Sequence, residues 1–242
     1  MSNRLFWQNH LIIPLIAFAL LAWLFEQSQL DLVVADWLYQ LEGGRWALRR
    51  SFIFSTILHH DAAQLVKIMA LFILVLAVVS SKVAKLKPYR QGLWYLALAL
   101  PVSALLVGAG KILTHVDCPW DLLRYGGDHP YLKLFEMRTE NQSGGRCFPA
   151  GHASGGYTMV AFYFFFLQIK PSWRFYGLGI GLACGLLFGI TQQMRGAHFI
   201  SHDLWTLAIC WLNSLVWYLI FFKNKGLIEL NATTTYRQGD YD

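Results

Sequence analysis

Six apolar runs separated by short polar segments constrain this chain more than any other feature of its sequence. The runs cover residues 9–26, 62–81, 92–113, 152–169, 175–193 and 204–222. An α-helix of about 20 apolar residues crosses the hydrocarbon core of a bilayer, and it satisfies its own backbone hydrogen bonds there. The pattern predicts an all-α polytopic membrane protein with six transmembrane helices. We interpret residues 1–242 as a single membrane-embedded domain.

The low share of charged residues argues against a soluble domain. Only 14% of the 242 residues are charged and 56% are hydrophobic, whereas soluble domains carry about 25% charged residues. The net charge of +6 does not indicate a nucleic-acid partner, because the lysines and arginines lie in short loops beside the apolar runs. We expect the lipid bilayer to surround this chain, and we expect no nucleic acid to bind it.

The distribution of basic residues predicts the face of the membrane on which each loop lies. Cytoplasmic loops are enriched in lysine and arginine. Three polar segments on one side carry such residues: Lys82, Lys85, Lys87 and Arg90; Lys170 and Arg174; and Lys223 and Lys225. Three arginines within residues 45–50 run against this trend. The first apolar run lacks a small-residue cleavage site, so we interpret it as a retained span.

This topology predicts that both termini are cytoplasmic. The polar segments 27–61, 114–151 and 195–203 then lie on the opposite face. We expect that face to be the periplasmic side of a bacterial inner membrane.

A polar patch between the last two apolar runs is the first sign of a functional site. Residues 195–203 contain an arginine, two histidines and an aspartate. Each ionisable group near hydrocarbon costs several kcal/mol unless it is paired or faces water. The alternating direction of six spans places two further polar segments, 111–121 and 148–156, on the same face. We therefore expect these three segments to form one site.

The residue types in the three segments suit the chemistry of a phosphate ester or anhydride. A transferring phosphoryl group spreads negative charge over its oxygens and needs cations and N–H donors around it. Gly151 lies at the start of a predicted helix, where free backbone N–H groups bind anions. One histidine can attack phosphorus, and a second can protonate the leaving oxygen. Four cations are available: Lys111, Arg124, Arg146 and Arg195.

The three segments resemble the motifs of the type 2 phosphatidic acid phosphatase superfamily, which also includes the vanadium haloperoxidases. The pattern of that family is Lys-x6-Arg-Pro, then Pro-Ser-Gly-His, then Ser-Arg-x5-His-x3-Asp. Residues 111–119 keep Lys111 and Pro119 at the spacing of the first motif, with Cys118 in the arginine place. Residues 149–152 read Pro-Ala-Gly-His and are similar to the second motif.

The third motif, within residues 195–203, departs further from the family pattern. If His198 is the nucleophile, Gln192 occupies the arginine place and His202 the aspartate place, with Asp203 one residue later. If His202 is the nucleophile, Arg195 lies near the arginine place, but no carboxylate follows at the required distance. We assign His198, because Gly-Ala-His-Phe-Ile-Ser resembles the family run that precedes the aspartate, and we keep His202 as the alternative.

The resemblance implies a role for each matching residue. His198 would attack phosphorus, Asp203 would orient it and His152 would protonate the leaving group. It implies no cofactor and no metal, although two histidines four residues apart could instead form a structural pair or bind a metal. Five residues would contact the phosphate: Lys111, Arg195, Gly151, and Arg124 and Arg146, which could replace the missing motif arginine.

Two cysteines lie beside the motifs, in polar segments of the predicted periplasmic face. We hypothesise a disulfide between Cys118 and Cys147, which would join the first motif to the second in an oxidising compartment. A loop of about 30 residues closed in this way is stabilised by about 3 kcal/mol in the chain-entropy model.

Residues 59–61, His-His-Asp, form a second polar cluster on the predicted periplasmic face. We interpret it as part of a surface loop. The alternative is that it lines the entrance for substrate.

The sequence as a whole predicts a hydrolase that releases phosphate from a membrane lipid, through a phosphohistidine, at the outer face. Candidate substrates are undecaprenyl diphosphate, phosphatidic acid, phosphatidylglycerol phosphate and lipid A phosphate. A phosphotransferase using the same histidine and a non-catalytic lipid-phosphate binding protein are the alternatives. The sequence does not specify an oligomeric state.

Overall fold

The computed structural model describes residues 3–134, 136 and 144–223, and these residues form helices joined by turns. The predicted all-α class is confirmed, since the described ranges contain no strand. Lys225 of the third basic cluster lies outside them. Seven main helices follow one another along the chain: α1 Asn3–Gln27, α2 Leu30–Leu41, α3 Ile53–Val79, α4 Arg90–Thr114, α5 over residues 151–169, α6 Arg174–Met194 and α7 Ile200–Tyr218.

Five of these helices, within the described residues, are long and apolar enough to cross a membrane: α1, α3, α4, α6 and α7. The sixth expected span, residues 152–169, is helical but is not one of the five, so six spans are not confirmed. The first turns of α5 contain His152, Ser154 and three glycines, which lower its hydropathy, and a tighter turn at Thr158–Val160 interrupts it.

Helix α3 begins at Ile53, nine residues before the predicted start.

The outward faces of the helices are apolar. On α3, Leu65, Ile68 and Phe72 are each at least 60% exposed. Only a small part of the apolar stretches of α1 and α3 is buried inside the protein. An exposed apolar face of this extent is unfavourable in water but matches a hydrocarbon environment. The helices are therefore those of an integral membrane protein.

Helices α5 and α6 pack almost backbone to backbone. Every fourth residue of α6 from Gly177 to Gly189 is glycine. A Cβ atom added at Gly181 would lie 2.5 Å from the backbone nitrogen of Val160, and one at Gly185 would overlap the ring of Tyr157. Small residues let helices approach closely in a membrane, where the hydrophobic effect does not drive their association. This contact holds the helix that begins with His152 against the helix that leads to the third motif.

The start of α1 and the end of α7 lie at the same end of the protein. The Nζ of Lys223 donates a hydrogen bond to Oδ1 of Asn3 over 3.1 Å, and it lies 3.5 Å above the ring of Phe6. At the opposite end, α4 finishes, α5 begins, α6 finishes and α7 begins. The three sequence segments therefore meet at that opposite end.

Helix α2 packs across this end through one of its faces. Leu32 and Ala35 of that face are buried against Leu122, Tyr125 and Phe199. The other face carries the exposed residues Val33, Trp37 and Leu41. An amphipathic helix of this kind, with an exposed tryptophan, is typical of the interface between membrane and water.

We predict that Gly181→Leu lowers the stability of the protein, whereas Gly179→Leu on the same helix does not. Leucine at 181 would overlap the backbone of α5, and overpacking of this kind costs typically 1–3 kcal/mol or more. No atom lies within 4 Å of a Cβ built at Gly179. Thermal unfolding of the detergent-solubilised variants measures the difference, and equal unfolding temperatures would contradict the close helix contact.

Candidate active site

Lys111, in the last turn of α4, lies directly over the start of α5. Its Nζ donates a hydrogen bond to the carbonyl oxygen of Arg146 over 3.0 Å. A Cβ atom at Gly151 would lie only 2.5 Å from Cε of Lys111, so the glycine leaves the space through which the lysine passes. The ammonium group and the first N–H groups of α5 therefore face the same region, which suits an anion.

His152, in the first turn of α5, is held in a defined orientation from α3. Its Nε2 donates to the carbonyl oxygen of Leu58 over 2.7 Å, because a carbonyl only accepts. The ring of His59 stacks on it with 4.5 Å between centroids, and the ring of Phe188 lies 4.9 Å away. The Nδ1 of His152 remains available for a substrate.

His198 and His202 are both buried and share one acceptor. The Nδ1 of His202 donates to the carbonyl oxygen of Cys147 over 2.8 Å, and His198 also hydrogen-bonds this carbonyl. The two Nδ1 atoms are 3.5 Å apart. A carbonyl oxygen has two lone pairs, so it can accept from both rings. The bond to Cys147 fixes the proton of His202 on Nδ1, so Nε2 of that ring is unprotonated when the ring is neutral.

Burial, together with the nearby charge of Lys111, lowers the pKa of His198 well below its usual range. The imidazole of His198 is therefore neutral at neutral pH. A neutral imidazole can act as a nucleophile.

Arg195 follows α6, and its guanidinium is held by the backbone of Arg49 and by the side chain of Gln192. One of its Nη atoms donates to Oε1 of Gln192 over 3.0 Å, and its Nε donates to the carbonyl oxygen of Arg49 over 3.3 Å. Its charge acts on both His152 and His59. Gln192, which stands in the family's arginine place, thus positions an arginine three residues further on. Its buried Nε2 has no partner among the residues described.

Asp203 is placed against α6 and not against the proposed nucleophile. Its Oδ2 accepts a hydrogen bond from Nε2 of Gln193 over 2.5 Å, and a side chain at Gly189 would overlap the carboxylate. No hydrogen bond joins Asp203 to His198 in the part of the chain that the structure describes. The neighbour of the His198 ring on α7 is His202, the residue in the family's aspartate place.

One of the five predicted phosphate ligands, Arg124, is bound elsewhere, and a second, Arg146, lies beside Lys111 with an exposed side chain. The guanidinium of Arg124 forms two hydrogen bonds, of 2.7 and 2.5 Å, with the carboxylate of Asp36 on α2. Arg146 is exposed and contributes its backbone carbonyl to Lys111. Lys111, Gly151 and Arg195 lie near the histidines.

The Cys118 and Cys147 sulfurs form a disulfide, with Cα atoms 5.2 Å apart. The backbone N–H of Cys147 also donates to the carbonyl oxygen of Val116 over 2.9 Å. These two links fix the segment whose carbonyl group contacts both histidines. The side chains of Cys118, Asp121 and Cys147 lie close enough to hold a metal ion, but bonded sulfurs are not free thiolates and do not ligate one in this form.

Residues outside the motifs also support the site. Asp31 of α2 accepts hydrogen bonds from the backbone N–H of Ser201, over 3.0 Å, and from its hydroxyl, over 2.5 Å. Burial raises the pKa of Asp31 to about 6. Ser201 is in the first turn of α7, so this carboxylate caps the helix that carries His202. No sequence spacing signalled this contact, which joins residues 170 positions apart.

Comparison with known proteins finds one family model, whose match contains all three segments. The family model described as PAP2 superfamily matches residues 92–226. That range covers nearly all of α4, all of α5 to α7 and the three motif segments. It does not include Arg49 or the residues of α2 and α3 that contact the site. No curated protein and no solved structure matches the chain.

We predict that alkylation of the unreduced, denatured protein leaves Cys118 and Cys147 unmodified, because a disulfide has no thiol to react. Cys184 and Cys210 are free in the structure and serve as internal controls that react. Mass spectrometry of the peptides measures both pairs. A mass shift on Cys118 and Cys147 before reduction would contradict the disulfide.

We predict that Gly151→Ala weakens the binding of orthovanadate, a phosphate analogue, by about tenfold or more. The added methyl group would displace Lys111, and a misplacement of about 1 Å in such a site costs up to 10²-fold. Gly155→Ala is the matched control, since its Cβ would lie 3.7 Å from Val66, an ordinary contact. A shift of the unfolding temperature with vanadate concentration measures the affinity, and equal affinities for the two variants would exclude this role for Gly151.

Proposed function

Because the chain belongs to the PAP2 superfamily, which includes phosphatases, we propose that it hydrolyses a lipid phosphate or diphosphate through a phosphohistidine. The observation that carries the proposal is the meeting of Lys111, His152, Arg195 and His198 at one end of the helices. These residues come from three separate segments of the chain. They combine a nucleophile, a proton donor and two cations, which phosphoryl transfer requires.

His198 is the nucleophile in this proposal. Its Nε2 attacks phosphorus, forming an N–P bond as the bond from phosphorus to the leaving oxygen breaks. The carbonyl of Cys147 holds the Nδ1 side of the histidine pair, as a carboxylate would in the family pattern. The charge of Lys111 acts on both histidines. His198 is preferred over His202 because residues 196–201, Gly-Ala-His-Phe-Ile-Ser, resemble the family run that precedes the aspartate.

His152 supplies the proton. In its protonated form, Nδ1–H donates to the leaving oxygen while Nε2 stays bonded to Leu58. Water then attacks phosphorus, His152 accepts a proton from it, and the N–P bond breaks to release inorganic phosphate and His198. Lys111, Arg195 and the first N–H groups of α5 stabilise the charge on the phosphoryl oxygens.

A lipid substrate fits the position of the site. An apolar groove of about 240 Å³ runs between α1, α6 and α7, and it includes Leu204, directly after Asp203. A groove of this kind can hold an acyl or prenyl chain while the headgroup reaches the polar end of the helices. Undecaprenyl diphosphate, phosphatidic acid, phosphatidylglycerol phosphate and lipid A phosphate are the candidate substrates.

The proposed topology has six crossings. The contact between Lys223 and Asn3 supports an even number, because it puts the start of α1 and the end of α7 at the same end. Helix α5 supplies the sixth crossing, with its polar first turns in the site. The basic residues at the end opposite the site support a cytoplasmic location for that end, so the site would face the periplasm across an inner membrane.

We predict that the purified protein releases phosphate from at least one of these lipids and that His198→Ala lowers kcat by about 10³-fold or more. Loss of a nucleophile leaves only the contributions of binding and charge stabilisation. Asp203→Asn retains more activity than His198→Ala, because Asp203 contacts Gln193 instead of the nucleophile. The measurement is phosphate release per enzyme, on variants that match the unmodified protein in thermal unfolding.

The remaining outcomes separate the alternatives. Full activity of His198→Ala with loss in His202→Ala would assign the nucleophile to His202. Transfer of the phosphoryl group to a second lipid, without free phosphate, would identify a phosphotransferase. Binding without either product across the lipid panel would identify a non-catalytic lipid-phosphate binding protein.

A further inference from the structure

His59 lies in the candidate site, although no motif includes it. Its ring stacks on His152 with an angle of 21° between the planes. The ring is half-buried, and neither of its nitrogens has a hydrogen-bond partner among the described residues. These nitrogens are not among the buried polar atoms that lack a partner, so they are accessible to solvent and to a bound ligand.

One group of the site stacks on His59, and two more are close enough to act on it by their charge. The charges of Arg195 and Lys111 both act on it, in addition to that of the stacked His152. Lys111 belongs to α4, His152 to α5 and Arg195 to the turn after α6. A residue of α3 that is near all three must border the space which these groups enclose. The same space receives the phosphate group in the proposed function.

The start of α3 is built to place two consecutive residues against His152. Leu58 accepts the Nε2 proton of His152 through its carbonyl, and His59 covers the ring. Residues Ile53–Asp61 are wound as wide π-type turns. The next residue, His60, points away and pairs with Asp61 over 3.0 Å at the surface.

The cations of the site are fewer than in the family pattern. Cys118 and Gln192 stand in the places of two arginines, and Arg195 can replace only one of them. A further N–H donor beside the phosphate would make up part of this loss. His59 is the side chain of α3 in position to supply it.

We propose that His59 is a further catalytic residue, which donates a hydrogen bond from a ring nitrogen to a phosphate oxygen of the substrate. The catalytic role of His59 rests on the proposed function. Its hydrogen bond to a phosphate group does not require turnover and can be tested without it. No bond is made or broken at His59, whose task is to stabilise charge on the phosphoryl or leaving oxygen beside His152.

His59→Phe tests the proposal, because it keeps an aromatic ring on His152 and removes both nitrogens. We expect it to weaken orthovanadate binding and to lower kcat/KM by about tenfold or more each, since one lost donor to a transition-state oxygen costs up to 10²–10³. His59→Gln keeps an N–H donor and should retain more of both. His60→Ala is the matched control and should stay within about twofold of the unmodified protein.

Equal vanadate affinity and equal kcat/KM in His59→Phe and the unmodified protein would overturn the proposal. If the unmodified protein binds vanadate but releases no phosphate, the proposed function fails, while a weaker affinity in His59→Phe still identifies His59 as a ligand. Should His59→Phe not fold, His59→Leu and His59→Gln give the same contrast. Equal affinities in those two variants would show that the nitrogen has no role.

Discussion

The carbonyl oxygen of Cys147 is the contact on which the geometry of the site depends. It accepts hydrogen bonds from both buried histidines. Cys147 itself is held to the segment after α4 by its disulfide with Cys118 and by the hydrogen bond from its backbone N–H to Val116. A rigid acceptor of this kind orients imidazole rings without placing a second negative charge in a buried site. The site therefore uses a dipole fixed by the backbone where the family pattern has a charged side chain.

Close helix packing carries this geometry from one segment to the next. Glycines on α6 bring its backbone against α5, and Gly151 lets Lys111 pass over the first turn of α5. The hydroxyl of Thr206 on α7 donates to the carbonyl oxygens of Ala150 and His202, which joins the start of α5 to that of α7. Because closely packed contacts transmit displacement, a shift of one helix end would move the residues on the others.

The sequence predicted the helices and the meeting of the three segments because both depend on patterns of side-chain type. Hydropathy marks a span, and alternating direction places Lys111, His152 and His198 at one face. It could not predict the role of the Cys147 carbonyl, because every residue has such a group and only the fold selects one. The start of α3 was placed too late, since His59 and His60 resemble the polar end of an apolar run. The place of His59 beside His152 depends on a contact between residues about 90 positions apart.

The cap that Asp31 forms on Ser201 links the turn before His202 to a helix that packs across the end of the bundle. Helix α2 presents Val33, Trp37 and Leu41 outward, as an amphipathic helix at the surface of a bilayer does. A displacement of α2 would act, through Asp31, on the residue immediately before His202. In that position one carboxylate would transmit a change at the surface of the bilayer to the alignment of the histidines.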